Sequence, residues 1–176
     1  MPPTEERAPT IRIVVLMGVS GCGKTTVGTR LARALDWAFL DGDDFHPPEN
    51  VRKMAAGTPL DDEDRWPWLR AIRAEIDRRV AADQPAVIAC SALKAAYREV
   101  LGRGASLRWV HLHGTFEQIA ERLGRRQGHF MPPELLRSQF ETLEAPDEAF
   151  VVDVQHPPDT LVDQIVHQFW PDDVRI

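Results

Sequence analysis

The chain has 176 residues, of which 43% are hydrophobic, which is enough for one compact core and too little for two. The formal net charge of −6 argues against a general nucleic-acid binder, because affinity for a phosphate backbone requires a basic surface. No apolar stretch approaches the length of a membrane span, and the two cysteines lack the spacing of a metal site. We therefore expect a cytoplasmic protein with a single domain and with no membrane or nucleic-acid partner.

The N-terminal residues 1–10 combine prolines with charges and lack an apolar core of signal-peptide length, so they are predicted to form a loose tail. Five short apolar runs follow along the chain. Several of them lack strict alternation of apolar and polar residues, which is typical of strands buried on both faces of a parallel sheet. The predicted strands are residues 11–17, 37–40, 86–90, 107–112 and 150–154.

The segments between these strands repeat apolar residues at the spacing of one helix face. Two start signals accompany the pattern, since Pro67 suits a first helical turn and Thr115 with Gln118 forms a capping-box pattern. Alternating strands and helices predict right-handed βαβ units and hence a three-layer α/β sandwich around a five-stranded parallel sheet. The predicted helical stripes are Val27, Leu31 and Leu35; Leu69, Ile72, Ile76 and Val80; Phe116, Ile119 and Leu123; and Leu161, Ile165 and Phe169.

A phosphate-binding motif follows the first predicted strand. Residues 18–25 read GVSGCGKT, which satisfies GxxxxGK[ST], and a helical pattern comes next; this is the context of a P-loop, whose backbone N–H groups surround phosphate oxygens. We expect Lys24 to reach the β- and γ-phosphates of ATP and the Thr25 hydroxyl to bind Mg²⁺. A glycine-rich turn without a ligand is the alternative. The residues predicted to bind the nucleotide are Gly18, Ser20, Gly21, Cys22, Gly23, Lys24, Thr25 and Thr26.

Two acidic residues, Asp41 and Asp43, follow the second predicted strand, at the sheet edge where ligands of open α/β folds bind. We expect Asp41 to hold Mg²⁺ through water and Asp43 to accept the proton of an attacking hydroxyl. An acidic turn that caps a strand is the alternative. Other P-loop classes fit less well. The NKxD element of GTPases is missing because the only asparagine is Asn50, and the third predicted strand does not end in the aspartate of motor ATPases.

A basic segment, RLGRRQGHF at residues 122–130, extends a predicted helix and breaks at Gly128. That arrangement suits a mobile lid that brings arginines onto the transferring phosphoryl group and excludes water. We assign Arg126 and Arg122 to this lid as catalytic residues and expect the lid to cover about residues 122–140. A solvated helix end, whose cations favour the C-terminal dipole, is the alternative and is preferred for Arg125.

Five segments together resemble one known family. They read GVSGCGKTT, FLDGDDFHPPENVRKMAAGTPLDDEDRWPWL, CSALKAAYRE, RLGRRQGHFMP and QFETLEAP, and they are similar to gluconate kinases of the small P-loop type, relatives of shikimate kinase. The resemblance implies a nucleoside-monophosphate-kinase-like fold with a lid, in a cytoplasmic homodimer. It also implies ATP-dependent phosphorylation of D-gluconate at its 6-hydroxyl, giving 6-phosphogluconate and ADP in sugar-acid catabolism. The alternatives are a kinase for another small acid or polyol, such as shikimate, and a non-catalytic nucleotide-sensing module.

An acceptor site is expected within about residues 45–85. Gluconate carries a carboxylate and several hydroxyls, so its pocket needs a cation at one end and hydrogen-bonding groups along its length. We expect Arg65 or Lys53 to bind the carboxylate, with His46 and His129 binding hydroxyls near Asp43. Arg65 lies among four acidic residues, so a surface ion pair ahead of a helix is the competing interpretation.

Overall fold

Strands and helices alternate in the described part of the chain, residues 10–125 and 132–173 of this computed structural model. The strands are β1 (Ile13–Met17), β2 (Ala38–Asp41), β3 (Ala86–Ala89), β4 (Leu107–His113) and β5 (Phe150–Asp153). The α-helices are α1 (Lys24–Leu35), α2 (Pro48–Ala55), α3 (Asp62–Ala81), α4 (Ala95–Leu101), α5 (Phe116–Arg125), α6 (Pro133–Thr142) and α7 (Pro158–Phe169). Short 3₁₀ turns span Gly42–Phe45 and Pro171–Asp173. The predictions for the first nine residues and for Arg126, Gly128 and His129 lie outside the described residues.

The five strands of the described ranges form one parallel sheet in the order β2-β3-β1-β4-β5. In the central strand, Ile13 lies opposite Ala86 of β3 and Leu107 of β4. Every residue of β1 is buried, which is why this strand is apolar on both faces. The predicted sheet is confirmed, and each strand begins and ends within two residues of its predicted bounds. Because the strands are parallel, their carboxyl ends lie along one edge.

Helices cover both faces of the sheet, and the side chains of β1 alternate between the two resulting cores. Val14 and Leu16 pack in one core with α1, α5, α6 and α7. Ile13, Val15 and Met17 pack in the other with α3 and α4. The predicted three-layer sandwich is therefore confirmed. Within the two described ranges, none of the helices combines the length and the apolar character needed to cross a bilayer.

Local backbone chemistry sets the start of four helices. Pro48, Pro133 and Pro158 are the first residues of α2, α6 and α7, where the missing N–H of proline costs no hydrogen bond. The capping box predicted ahead of α5 is confirmed, since Thr115 N donates to Gln118 Oε1 at 2.9 Å and Gln118 N donates to Thr115 Oγ1 at 3.2 Å. Each of these signals could be read from a few adjacent residues.

The start of α3 differs from the prediction. Pro67 lies inside this helix rather than in its first turn. The stronger start signal is a capping box, in which Asp61 accepts from Asp64 N at 2.8 Å and the Asp64 carboxylate accepts from Asp61 N at 3.1 Å. Arg65 therefore belongs to the beginning of α3 and does not precede the helix. Near the other end, Val80 is 37% exposed and does not join the core as its stripe predicted.

Candidate active site

The turn between β1 and α1 approaches its neighbours closely enough to need glycine. Gly18 has a φ of +147°, and a Cβ there would lie 2.8 Å from the Leu112 carbonyl oxygen. Gly21 has a φ of +81°, and a Cβ there would lie 2.7 Å from the Leu123 side chain. This turn, which we call the phosphate loop (residues 18–25), is therefore enclosed by β4 and α5.

Lys24 lies across the phosphate loop. Its Nζ donates to the carbonyl oxygens of Gly18 at 2.8 Å and Val19 at 3.0 Å. The same Nζ lies 3.8 Å from the sulfur of Cys22, whose side chain is buried as a small residue filling the loop. An ammonium group has three N–H donors, and the weakest of its three bonds, to the Cys22 sulfur, is the one that a phosphate oxygen would replace.

The N-terminus of α1 opens onto the phosphate loop without a side-chain cap. Gly23 is the N-cap residue, no side-chain hydrogen bond caps this end, and the first turn has no acidic residue. The N–H groups of Lys24, Thr25 and Thr26 belong to this first turn, where both the free donors and the helix dipole favour an anion. The arrangement is that of a phosphate-binding site.

Asp41 ends β2, and Asp43 lies in the 3₁₀ turn that follows. Asp41 Oδ1 accepts a hydrogen bond from Asp43 N at 3.0 Å, so a single turn holds both carboxylates. Burial by the surrounding protein, followed by the charge of Asp41, raises the pKa of Asp43 above its usual value, whereas His46 and Lys24 lower it. The Asp43 side chain is nevertheless 84% exposed, so solvent limits this increase.

Cys90 follows β3, the strand that separates β2 from β1. Burial raises the pKa of its thiol to about 12, and the charges of Lys24, Asp43 and Asp41 all act on it. The ammonium and both carboxylates are therefore close enough to influence one buried group at the carboxyl edge of the sheet. The acidic pair and the phosphate loop lie at the same edge of the sheet.

His46 is packed beside the acidic pair with only 4% of its side chain exposed. Its ring stacks on Trp68, with centroids 4.3 Å apart and planes 16° apart. Its Nε2 lies 3.9 Å from Asp43 Oδ1, and its Nδ1 lies 3.2 Å from the Asn50 amide nitrogen. Burial lowers the pKa of His46, Arg65 lowers it further and Asp43 opposes the change, so the ring is neutral at pH 7.

The two cations predicted for a substrate carboxylate have different surroundings. Lys53 Nζ donates to both carboxylate oxygens of Asp64, at 2.9 and 2.8 Å. Arg65 Nη1 donates to the hydroxyl of Tyr97 at 3.2 Å and lies 3.9 Å from an Asp62 oxygen. Lys53 thus forms an ion pair with both oxygens of one carboxylate. The side-chain hydrogen bond of Arg65 instead goes to a neutral hydroxyl, with the Asp62 carboxylate farther away at 3.9 Å.

Tyr97 of α4 connects Arg65 to a second cation, Lys94. The Tyr97 hydroxyl donates to Asp62, and Lys94 Nζ donates to both oxygens of the same carboxylate at 3.2 and 3.3 Å. The Arg65 guanidinium carbon and Lys94 Nζ lie 5.6 and 5.5 Å from the Tyr97 ring centroid, within cation–π range. Two cations and one carboxylate leave this cluster with a net positive charge.

Arg122 attaches α5 to the phosphate loop. Its guanidinium donates to the carbonyl oxygen of Cys22 at 3.4 Å and also to the carbonyl oxygen of Val154. Arg125 instead forms an exposed ion pair with Glu121 one turn away, which agrees with its interpretation as a solvated helix-end residue. Arg122 therefore lies beside the phosphate loop.

Gln139 of α6 attaches a second helix to the phosphate loop. Its Oε1 accepts from Ser20 N at 2.7 Å, and its Nε2 donates to Ser20 Oγ at 3.0 Å. α5 and α6 flank the segment that contains the predicted lid residues Arg126 and His129, which are outside the described ranges. Both flanking helices thus contact the loop that binds phosphate.

The side chains at the sheet edge suit magnesium only in combination with a nucleotide. Among the described residues, no group of three or more His, Cys, Asp or Glu side chains could hold a metal ion alone. Thr25 and Asp41 nevertheless offer a hydroxyl and a carboxylate oxygen on neighbouring elements. Mg²⁺ prefers oxygen ligands and commonly takes one or two from protein, with the others from phosphates and water, so this donor set fits the ion.

The fold recurs in known proteins. The family model described as "Shikimate kinase" matches residues 20–168. A gluconokinase from Gluconobacter oxydans is 46% identical over 166 residues, covering 92% of this chain and 93% of the relative. The chain belongs to the gluconokinase family. A probable gluconokinase from Xenopus tropicalis is also 46% identical, over 172 residues that cover 87% of this chain and 90% of the relative. A solved structure of a gluconokinase from Sinorhizobium meliloti has a TM-score of 0.77 and 47% identity, with 90% of each chain covered.

Membership of the gluconokinase family confirms the resemblance, the P-loop kinase fold and the prediction of a nucleotide-using kinase. Three polar residues that were not among the predicted site residues contact them: Asn50 contacts His46, Tyr97 contacts Arg65 and Gln139 contacts Ser20. Each lies within one of the five segments that carry the resemblance. Their polar side chains within those segments were the sequence signal that could have identified them as site residues.

Proposed function

We propose that this chain phosphorylates D-gluconate at its 6-hydroxyl with ATP, giving 6-phospho-D-gluconate and ADP in sugar-acid catabolism. One observation carries the proposal: Asp41 and Asp43 occupy the sheet edge that also holds Lys24, in a chain whose relatives are gluconokinases. This arrangement supports the proposal that a base for the acceptor hydroxyl lies near a site for the terminal phosphates of a nucleotide.

Two alternatives have less support. A kinase for another small acid or polyol, such as shikimate, would share the phosphate loop, but relatives that match almost the full length of the chain are gluconokinases at 46% identity. A nucleotide-sensing module without catalysis would need the phosphate loop alone. Such a module would not need a carboxylate such as Asp43 close enough to Lys24 for the two charges to interact.

Asp43 is the proposed general base. Its carboxylate takes the proton of the 6-hydroxyl while the hydroxyl oxygen forms a bond to the γ-phosphorus. The bond from that phosphorus to the bridging oxygen breaks, and its electron pair leaves with ADP. A carboxylate whose pKa is raised is a stronger base than an ordinary aspartate. His46 and His129 are the proposed partners of other gluconate hydroxyls.

The phosphate loop is proposed to bind ATP through the backbone N–H groups at the start of α1 and through Lys24. Thr25 and, through water, Asp41 would hold Mg²⁺, which supplies positive charge to the transferring phosphoryl group when it is bound. Arg126 and Arg122 are the proposed lid cations. For Arg122, the bond to the Cys22 carbonyl places the guanidinium beside the phosphate loop.

Arg65 is the proposed partner of the gluconate carboxylate. Lys53 is less suited, because a substrate carboxylate would compete with its two-point bond to Asp64. Arg65 keeps donors for a two-point bond of its own, since its hydrogen bond goes to the neutral hydroxyl of Tyr97 and its distance to Asp62 is 3.9 Å.

The proposal includes an organisation of the whole chain. We propose one domain over residues 1–176, with a loose tail at residues 1–10, an acceptor segment at about residues 45–85 and a lid at about residues 122–140. The contacts of Arg122 and Gln139 with the phosphate loop support a lid hinged at the nucleotide site. The enzyme is proposed to be cytoplasmic and homodimeric.

A coupled assay of ADP release tests the function. D-Gluconate should stimulate ADP release strongly, whereas shikimate and other sugar acids should not, because a mismatched acceptor leaves buried polar groups unpaired. Asp43→Asn should lower turnover by about 10²- to 10⁴-fold while retaining ATP binding. The neighbouring, exposed Asp44 provides the matched control, Asp44→Asn, which should retain turnover.

Two results would count against the proposal. Absence of stimulation by any acceptor would favour the nucleotide-sensing module. Near-normal turnover of Asp43→Asn would remove Asp43 from the role of base. With Asp43 as the base, turnover should also decline as the pH falls through the raised pKa of this carboxyl group.

A further inference from the structure

Asn50 is a buried polar residue next to the proposed base. It is 3% exposed, although α2 is otherwise a surface helix in which Asn50 is the one buried residue. Its amide nitrogen makes two contacts, to the Asp64 carbonyl oxygen at 2.8 Å and to His46 Nδ1 at 3.2 Å. A buried amide is stable when it is hydrogen-bonded in this way.

These two contacts determine how the Asn50 amide is oriented. A backbone carbonyl oxygen can only accept a hydrogen bond, so the group that faces the Asp64 carbonyl must be the NH₂ of the amide. The same nitrogen then donates its other hydrogen to His46 Nδ1. Nδ1 is therefore an acceptor, and the neutral His46 ring carries its proton on Nε2.

The position of the His46 ring is also set by its neighbours. The ring stacks on Trp68 at 4.3 Å, and Trp68 Nε1 donates to the Gly42 carbonyl oxygen at 2.7 Å. Gly42 precedes Asp43 in the same 3₁₀ turn. Trp68 thus connects the imidazole to the backbone turn that carries Asp43, with Nε2 3.9 Å from Asp43 Oδ1.

We infer that Asn50 and His46 are positioning residues, which together hold the Nε2–H donor of the His46 ring beside Asp43. The ring does not act as a second base. The inference rests on the proposed function. The 3.9 Å separation is about 1 Å longer than a hydrogen bond, and a rotation of the exposed Asp43 side chain would close it. Nε2–H then fixes one carboxylate oxygen, so that the other faces the acceptor hydroxyl. His46 cannot take that proton, because Asn50 occupies its lone pair. With Nε2–H on Asp43, both ring nitrogens are occupied, so this role replaces the hydroxyl contact proposed above for His46.

Heteronuclear NMR of nitrogen-labelled protein tests the tautomer without any reference to activity. We expect the His46 ring to show a protonated Nε2 and an unprotonated Nδ1 at neutral pH, with the His46→Gln spectrum identifying its signals. In Asn50→Ala, the ring should lose this preference and populate both tautomers. A wild-type ring protonated at Nδ1 would overturn the inference, and that measurement needs no variant of Asn50 that folds.

Kinetics test the positioning role. A glutamine at position 46 can place an N–H near the site of Nε2, whereas the shorter asparagine cannot reach it. His46→Gln should therefore retain turnover within about threefold, and His46→Asn should lose about tenfold or more in kcat, with KM for ATP unchanged, as expected for one charge-assisted hydrogen bond. Arg52→Ala on the same helix, 72% exposed, is the control and should retain full turnover.

The outcomes separate the two proposals. If wild-type protein shows no ADP release with D-gluconate, the proposed function fails, while the NMR result still decides the tautomer. If wild-type protein turns over and the two His46 variants are equally active or equally impaired, the function stands and the positioning role is wrong.

Discussion

Gln139 holds Ser20 at two points, accepting from its backbone N–H at 2.7 Å and donating to its hydroxyl at 3.0 Å. Arg122 bonds the same loop through the Cys22 carbonyl. These two side chains come from α6 and α5, the helices on either side of residues 126–131. The loop that is proposed to bind ATP and the two ends of the proposed lid are therefore joined by hydrogen bonds.

Gln139→Ala should weaken ATP binding. The substitution removes both bonds to Ser20, and each bond contributes about 0.5–1.5 kcal/mol to holding the loop in place. Because about 1.4 kcal/mol corresponds to a factor of ten, KM for ATP should increase about tenfold. KM for D-gluconate should change much less. Steady-state kinetics in both substrates, together with calorimetric titration of ATP, measure this difference.

Two further variants sharpen the Gln139 experiment. Ser138→Ala changes the preceding, exposed residue of α6 and should leave KM for ATP unchanged. Gln139→Glu keeps an acceptor for the Ser20 N–H but adds a negative charge beside the phosphates, so it should weaken ATP binding more than alanine does. If all three variants bind ATP like the wild type, the contact has only a structural role.

The sheet and the phosphate site could be predicted because their signals are local. A strand buried on both faces admits few polar residues, so β1 and β3 are recognisable as short apolar runs. Residues 18–25 and the pair Asp41 and Asp43 are likewise contiguous patterns that end strands. The start of α3 was predicted wrongly because Pro67 resembles a helix start, whereas the actual cap at Asp61 lies in an acidic run without an apolar pattern.

The partners of the cations could not be predicted, since they come from distant parts of the chain. Arg65 meets Tyr97, which is 32 residues away and belongs to α4. Lys53 meets Asp64 across 11 residues and the gap between α2 and α3. Sequence alone left Arg65 and Lys53 equivalent. Only the packing of α2, α3 and α4 shows that Lys53 is hydrogen-bonded to both oxygens of a carboxylate, whereas Arg65 is not.

Arg65→Met should impair the binding of D-gluconate specifically. Hydrogen bonds to charged groups contribute about 1.5–3 kcal/mol, so KM for D-gluconate should increase by about 10- to 100-fold, with KM for ATP nearly unchanged. Arg65→Lys should be intermediate, because an ammonium keeps the charge and loses the two-point geometry. Initial rates over a range of D-gluconate concentrations measure the effect.

Lys53→Met is the matched comparison for Arg65. It breaks the ion pair with Asp64, which also caps α3, so it should lower the Tm while leaving KM for D-gluconate within about twofold of the wild-type value. The reverse pattern, a large KM increase for Lys53→Met and none for Arg65→Met, would transfer the carboxylate site to Lys53.

His111→Phe should make the protein less sensitive to acid. His111 is a buried residue of β4, and burial, followed by the charges of His113, Arg98 and Lys24, lowers its pKa to about 4. In the unfolded chain, the pKa of histidine is about 6.5. Between these values the unfolded chain binds a proton that the folded protein does not, so the free energy of unfolding falls as the pH decreases from about 6.5 to about 4.

For one proton, the free energy of unfolding falls by up to about 1.4 kcal/mol per pH unit. Phenylalanine at position 111 removes this pH dependence, because it does not bind a proton. Urea denaturation at several pH values from about 7 to about 5 should show the variant gaining stability relative to wild type as the pH falls. Because both proteins share every other titratable group, the difference isolates His111. Exposed His167 supplies the control, and His167→Gln should follow the wild-type profile. Parallel pH profiles for wild type and His111→Phe would mean that His111 titrates normally in the folded protein.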